Sequence, residues 1–112
     1  MTETYPEKRL IGYARVSTYG QTLDSQLEQL RKAGCTSRNI YREKVTGTRA
    51  DRRELNRMLG KLAPGDVVTV TGIDRLARST FDLFAIVNCI VDAKAQFRSL
   101  AEPWADTATA RR

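Results

Sequence analysis

Short apolar runs alternate with amphipathic helical repeats along this chain, and that alternation restricts the fold more than any other feature. Arg9 to Val16 (RLIGYARV) is short, apolar and partly β-branched or aromatic, which predicts a buried strand. Leu23, Leu27 and Leu30 recur at i, i+4 and i+7 with Gly34 behind them, so an amphipathic helix is expected from Thr22. Asn39 to Val45 suits a second strand. Asp51-Arg52-Arg53-Glu54 has the form of a capping box with Asp51 as the acceptor. The helical stripe Leu55, Met58, Leu59 and Leu62 follows and stops at Pro64-Gly65-Asp66. Val67 to Ile73 predicts a third, buried strand, and Ser79-x-x-Asp82 opens a helix from about Thr80 to Ala95. Gln96 to Ala101 suits a fourth strand, and Pro103 ends regular structure. Helical crossovers between strands favour an α/β fold, a mostly parallel central sheet of about four to five strands with helices packed on both faces. Leu27, Leu55, Leu59, Phe84, Ile86 and Ile90 are assigned to the core, and the register of the last helix predicts burial of Cys89.

A chain of 112 residues accommodates one domain, and a hydrophobic fraction of 41% suffices for a modest core. The chain has no histidine, which excludes imidazole as base or metal ligand and with it Ser-His-Asp triads. The net charge is +6, carried by 14 Arg and 5 Lys. Guanidinium presents a planar fork of donors that matches phosphate oxygens, so the arginine excess points to an oxyanion partner. Cys35 and Cys89 lack metal or redox spacing and are expected as reduced thiols. The polar start, residues 1–8, does not read as a signal peptide. The longest apolar stretch, residues 81–93, is broken by Asp82, Asn88 and Asp92 and is too short to span a bilayer. A soluble cytoplasmic protein without a membrane partner is the expectation.

In open parallel sheets, ligands bind beyond the carboxyl ends of the strands. That rule collects three loops: Arg15-Val16-Ser17-Thr18, then Thr46-Gly47-Thr48-Arg49 with Asp51-Arg52-Arg53, and Asp74-Arg75-Leu76-Ala77-Arg78-Ser79. Each brings at least one arginine, and clustering like charges is costly unless an anion neutralises them. Position alone also admits blander roles. Ser17 suits a turn or cap, Arg52 and Arg53 a solvated face, and Arg75 and Arg78 pairing with Asp74 and Asp82. Gln21 and Gln26 would ordinarily face solvent.

Tyr13-Ala14-Arg15-Val16-Ser17-Thr18, followed by Gln21, Asp24 and Gln26, resembles the opening of the serine site-specific recombinases, the resolvase/invertase family. The segments from Gly47 to Arg52 and from Asp74 to Ser79 match in the same order, and the resemblance covers Arg9 to about Thr107. It implies DNA as partner and Ser17 as a nucleophile that attacks a phosphodiester to give a 5′-phosphoserine link and a free 3′-hydroxyl. It also implies no metal and no cofactor. Arg15, Arg52, Arg75 and Arg78 match the family's phosphate clamp, which must activate a poor nucleophile electrostatically. Asp74 could orient an arginine or pass a proton to the leaving oxygen. Gln26 is expected to orient an arginine or a phosphate oxygen, with Gln21, Arg49 and Arg53 as weaker phosphate contacts. Family members continue into a long helix that supports dimers and tetramers and then into a DNA-reading domain. Residues 1–105 are therefore read as the catalytic domain and residues 106–112 as a truncated tail. Self-association is expected to be weakened, and DNA binding to be salt-sensitive. The alternative is a non-catalytic remnant or inhibitory fragment that associates with a full-length recombinase. A small phosphate-sensing module would share the fold but leave the three matching segments unexplained.

Overall fold

The fold is organised around β1 (Leu10–Val16), whose apolar side chains are buried on both faces. A computed structural model describes residues 9–16, 21–44, 52–102 and 104 of the chain. In these, β1 is followed by α1 (Gln21–Lys32), β2 (Ile40–Lys44), α2 (Arg53–Gly60), β3 (Val67–Val70), α3 (Thr80–Asp92) and β4 (Gln96–Ser99). Short 3₁₀ turns occupy Ser37–Asn39 and Ile73–Arg75. The four strands form one sheet in the order β2-β1-β3-β4, with every pairing parallel. Gly12 lies opposite Ile40 and Thr69, which fixes the register of β2 and β3 against β1.

Helices cover both faces, as the alternation requires. Ile11, Tyr13, Val68, Val70 and Phe97 pack with Leu55 and Met58 of α2 and Ile86 and Ile90 of α3. Ala14 and Ile40 pack on the other face with Leu27 and Leu30 of α1. There α1 lies close to the sheet: a Cβ on Gly12 would sit 3.1 Å from Leu30 Cδ1 and 3.2 Å from Ile40 Cγ1. Gly34, at φ +111°, ends α1 in the left-handed conformation open to glycine. The Cys35 N–H then reaches Leu30 O and the Gly34 N–H reaches Arg31 O, both at 3.0 Å, closing the helix in a Schellman motif.

Several expected boundaries shift. β3 ends at Val70 rather than Ile73, because Ile73 opens a 3₁₀ turn, and β4 ends at Ser99 rather than Ala101. α3 stops at Asp92, where Lys94 takes φ 64°. Asp51 lies outside the described residues, and the residue at the N-cap position of α2 is Arg52, which makes no side-chain cap. Two inward assignments on α3 are corrected. Phe84 is 61% exposed and Cys89 is exposed, because the helix turns only Ile86 and Ile90 fully inward. Leu59 is half-buried against the core rather than part of its interior. Among the described residues, no helix is long and apolar enough to cross a membrane.

Candidate active site

The strand order reverses between β1 and β3, since the chain leaves β1 for β2 on one side and places β3 and β4 on the other. Crevices form at such points beyond the carboxyl ends of the strands. An open cleft of about 460 Å³ lies there, lined by Gln26 and Gln29 of α1 and by Thr71, Gly72, Asp74 and Arg75 after β3. Arg15, near the end of β1, donates from a terminal guanidinium nitrogen to Asp74 O at 2.7 Å and so ties β1 to the 3₁₀ turn. Gln26 is buried, contrary to the ordinary expectation for a helix glutamine; its Nε2 donates to Arg15 O at 3.3 Å. Its Oε1 is buried without a hydrogen-bond partner.

Arg52 stands at the start of α2, where the helix dipole disfavours a cation. The conflict is resolved because its guanidinium turns toward α3, pairs with Asp82 at 2.7 Å and donates to Leu76 O. Asp82 also accepts the Arg78 N–H at 2.9 Å, while Ser79 caps α3 by accepting from the Asp82 N–H at 3.1 Å. Burial opposes the Asp82 carboxylate, but the Arg78 N–H and the Arg52 charge prevail and hold its pKa below the ordinary value. Pairing of Arg75 with Asp74 or of Arg78 with Asp82 is not seen. Among the described residues, no ion pair joins Arg15, Arg75 or Arg78 to a carboxylate.

The electrostatic consequence falls on Arg15. Burial lowers its pKa first, and the like charges of Arg52 and Arg78 lower it further. The arrangement brings the guanidinium groups of Arg15, Arg52 and Arg78 into electrostatic range of one another, and the carboxylate that acts on Arg15 among the described residues, Asp82, is already engaged by Arg52. A bound phosphate would remove that penalty. Arg53, the first residue of α2, is exposed. Ser17, Arg49 and the side chain of Gln21 lie outside the described residues.

Glu43 was not singled out by sequence, because strand periodicity carries no signal for a buried acid. Its carboxylate accepts the Tyr13 hydroxyl at 2.7 Å, the Leu55 N–H at 3.1 Å and the Glu54 N–H at 3.0 Å. It thereby supplies the cap expected of Asp51, but from a neighbouring strand, and fixes the helix start that carries Arg52. Burial and the bond to Glu43 push the Tyr13 hydroxyl pKa up. Glu102 escaped notice for a similar reason, lying after β4 in a stretch that reads as the end of regular structure.

Residues 10–112 match the family described as "Resolvase, N terminal domain". The chain is 45% identical over 98 residues to a resolvase of Clostridium perfringens (strain 13 / Type A), covering 88% of this chain and 52% of that protein. It is 43% identical over 93 residues to the serine recombinase gin of Escherichia phage Mu, covering 83% and 47% of the two. The structure of a resolvase family site-specific recombinase from Streptococcus pneumoniae superposes with a TM-score of 0.70 at 19% identity, over 94% of this chain and 79% of that one. An arginine-lined switch point on a parallel α/β sheet, sequence similarity at this level and a match over almost the whole chain agree. The chain belongs to the resolvase N-terminal domain family, within the serine recombinases. It spans about half the length of the curated relatives it matches.

Proposed function

We propose that this chain is a catalytic domain that cleaves and rejoins DNA by transesterification at Ser17. The Ser17 oxygen bonds to phosphorus, the bond from phosphorus to the 3′ oxygen breaks, and the serine proton leaves while the leaving 3′ oxygen gains one. The products are a 5′-phosphoserine and a free 3′-hydroxyl, and reversal of the step rejoins a strand without external energy.

The observation that carries this reading is the cluster of guanidinium groups at the carboxyl edge of β1 and β3, of which, among the described residues, Arg15, Arg75 and Arg78 form no ion pair and Arg52 alone is paired, with Asp82. A phosphodiester carries one negative charge and gains another in its pentacoordinate transition state, so such a cluster stabilises the transition state more than the substrate. Arg15, Arg75 and Arg78 are assigned to the phosphate, and Arg52 to the phosphate and to the loop it already holds. Asp74 and Gln26 orient groups around it, and Gln21, Arg49 and Arg53 supply weaker phosphate contacts. Ser17 is the next residue in sequence after Val16, the last of β1. Metal and cofactor have no part in the step, the partners are DNA and further copies of the same fold, and the setting is cytoplasmic.

The test uses a duplex nicked near the crossover of a resolvase-type site, so that the cut strand diffuses away and the intermediate accumulates. A covalent adduct mapping to Ser17 is expected, and Ser17→Ala should abolish it. Absence of an adduct with the unaltered chain, or an adduct that survives Ser17→Ala, contradicts the reading.

A further inference from the structure

The turn that presents Asp74 and Arg75 to the cleft begins with a backbone problem. Gly72, at the N-cap position of the Ile73–Arg75 turn, has no side chain with which to cap the following N–H groups. Within the turn, the Arg75 N–H reaches Gly72 O and the Leu76 N–H reaches Ile73 O, which leaves the Ile73 N–H without a partner inside it. An unpaired donor near the interior costs free energy comparable to a lost hydrogen bond. The acceptor comes from 29 residues away: Glu102 Oε1 receives the Ile73 N–H at 3.0 Å.

Glu102 is itself held in place. The Ser99 hydroxyl, buried at 1% exposure, donates to the same Oε1 at 2.6 Å. The Leu100 N–H reaches Val70 O at 2.9 Å and the Ala101 N–H reaches Thr71 O at 3.0 Å, continuing the β3–β4 pairing beyond both strands. That ladder delivers Glu102 beside the turn. The space is tight: a Cβ on Gly72 would lie 2.8 Å from Asp74 Oδ1 and 3.9 Å from Glu102 Oε1. Both carboxylates therefore lie against one backbone position, where an added Cβ would crowd the Asp74 carboxylate. Arg15 also holds the turn, through Asp74 O.

We infer that Glu102 is a positioning residue for the proposed cleavage, fixing the turn so that Arg75 and Asp74 are aimed at the phosphate. This inference rests on the transesterification reading above. It differs from a general stabilising role because the bond is made to the one turn that carries two site residues. A misplacement of about 1 Å in a catalytic group is enough to cost up to roughly 100-fold in rate.

The experiment follows adduct formation on the nicked duplex together with duplex affinity and thermal midpoint. Glu102→Ala should slow adduct formation about tenfold or more with affinity changed less than about twofold. Glu102→Gln keeps an acceptor oxygen for the Ile73 N–H and should restore most of the rate. Ser99→Ala, which only loosens the carboxylate, should show the same separation of rate from affinity in weaker form and serves if Glu102→Ala does not fold. A rate unchanged in Glu102→Ala, or Glu102→Gln as slow as Glu102→Ala, overturns the inference while leaving the cleavage reading intact. So does a loss of affinity equal to the loss of rate. No adduct from the unaltered chain overturns the cleavage reading, and this inference with it.

Discussion

The two ends of β1 treat arginine in opposite ways. At the amino end, Arg9 meets Asp66 in a two-point bridge, Nε to Oδ1 at 3.1 Å and a terminal nitrogen to Oδ2 at 2.7 Å. Asp66 also accepts the Ala63 N–H at 2.8 Å, and Arg9 donates to Lys61 O. Charge, geometry and backbone are matched there, and the Arg9 pKa rises through its bond to Asp66. At the carboxyl end the acids are turned toward backbone instead. Glu43 receives two N–H groups of α2, Asp82 receives the Arg78 N–H, and Glu102 receives the Ile73 N–H. There Arg52 pairs with Asp82, while Arg15, Arg75 and Arg78 form no ion pair among the described residues and Arg15 is left with a carbonyl oxygen and a depressed pKa. Arginine paired with acid builds the fold; arginine kept apart from acid is available to a ligand. The acids of the carboxyl end have the intermediate task of aiming the loops that hold those arginines.

Removing carboxylates at the carboxyl end tests their part in this contrast. The largest effect is expected at Glu43, which is 4% exposed and has three donors converging on it. Glu43→Ala strands those donors and should cost about 3 kcal/mol or more in urea unfolding. A cost near that of an exposed side chain would show that the cap is idle. Asp82 should matter less and in a pH-dependent way. Its folded pKa lies below the unfolded one, so its contribution is complete above the ordinary carboxylate range and fades as the pH falls through the folded value. Asp82→Asn should flatten that part of the stability–pH curve, measured by thermal midpoint, while leaving the slope at higher pH unchanged. An acid limb identical to that of the unaltered chain would remove Asp82 from the account.

The alternation of patterns was enough to predict four strands, three helices, parallel pairing and helices on both faces, since each element shows its own period. Boundaries failed where the competing signal was tertiary. Ile73 continues an apolar run but is drawn into a turn by a carboxylate far along the chain. Phe84 and Cys89 belong to a helix apolar around most of its circumference, so its sequence could not show which side faces the sheet. For the site, the loop rule named Arg15, Arg52, Asp74, Arg75 and Arg78, which lie near one another at the carboxyl end of β1 and β3. It had no means of finding Glu43 or Glu102, whose roles depend on backbone groups 11, 12 and 29 residues away.

The central claim is that Arg15, Arg75 and Arg78, which pair with no carboxylate among the described residues, serve a DNA phosphate, while Arg9, bound to Asp66, serves the fold. Arg78 and Arg9 allow a crossed comparison, since the Arg78 side chain is exposed and forms no ion pair among the described residues, while Arg9 is bound to Asp66. The measurement is duplex affinity as a function of salt, paired with unfolding free energy, for Arg78→Ala and Arg9→Ala. Arg78→Ala should reduce the slope of log affinity against log salt by about one and leave stability nearly unchanged. Arg9→Ala should lower stability by about 1 kcal/mol, the half-exposed arginine limiting the effect, with no change in slope while the protein is folded. Equal slopes for Arg78→Ala and the unaltered chain, or a reduced slope for Arg9→Ala, would contradict the claim.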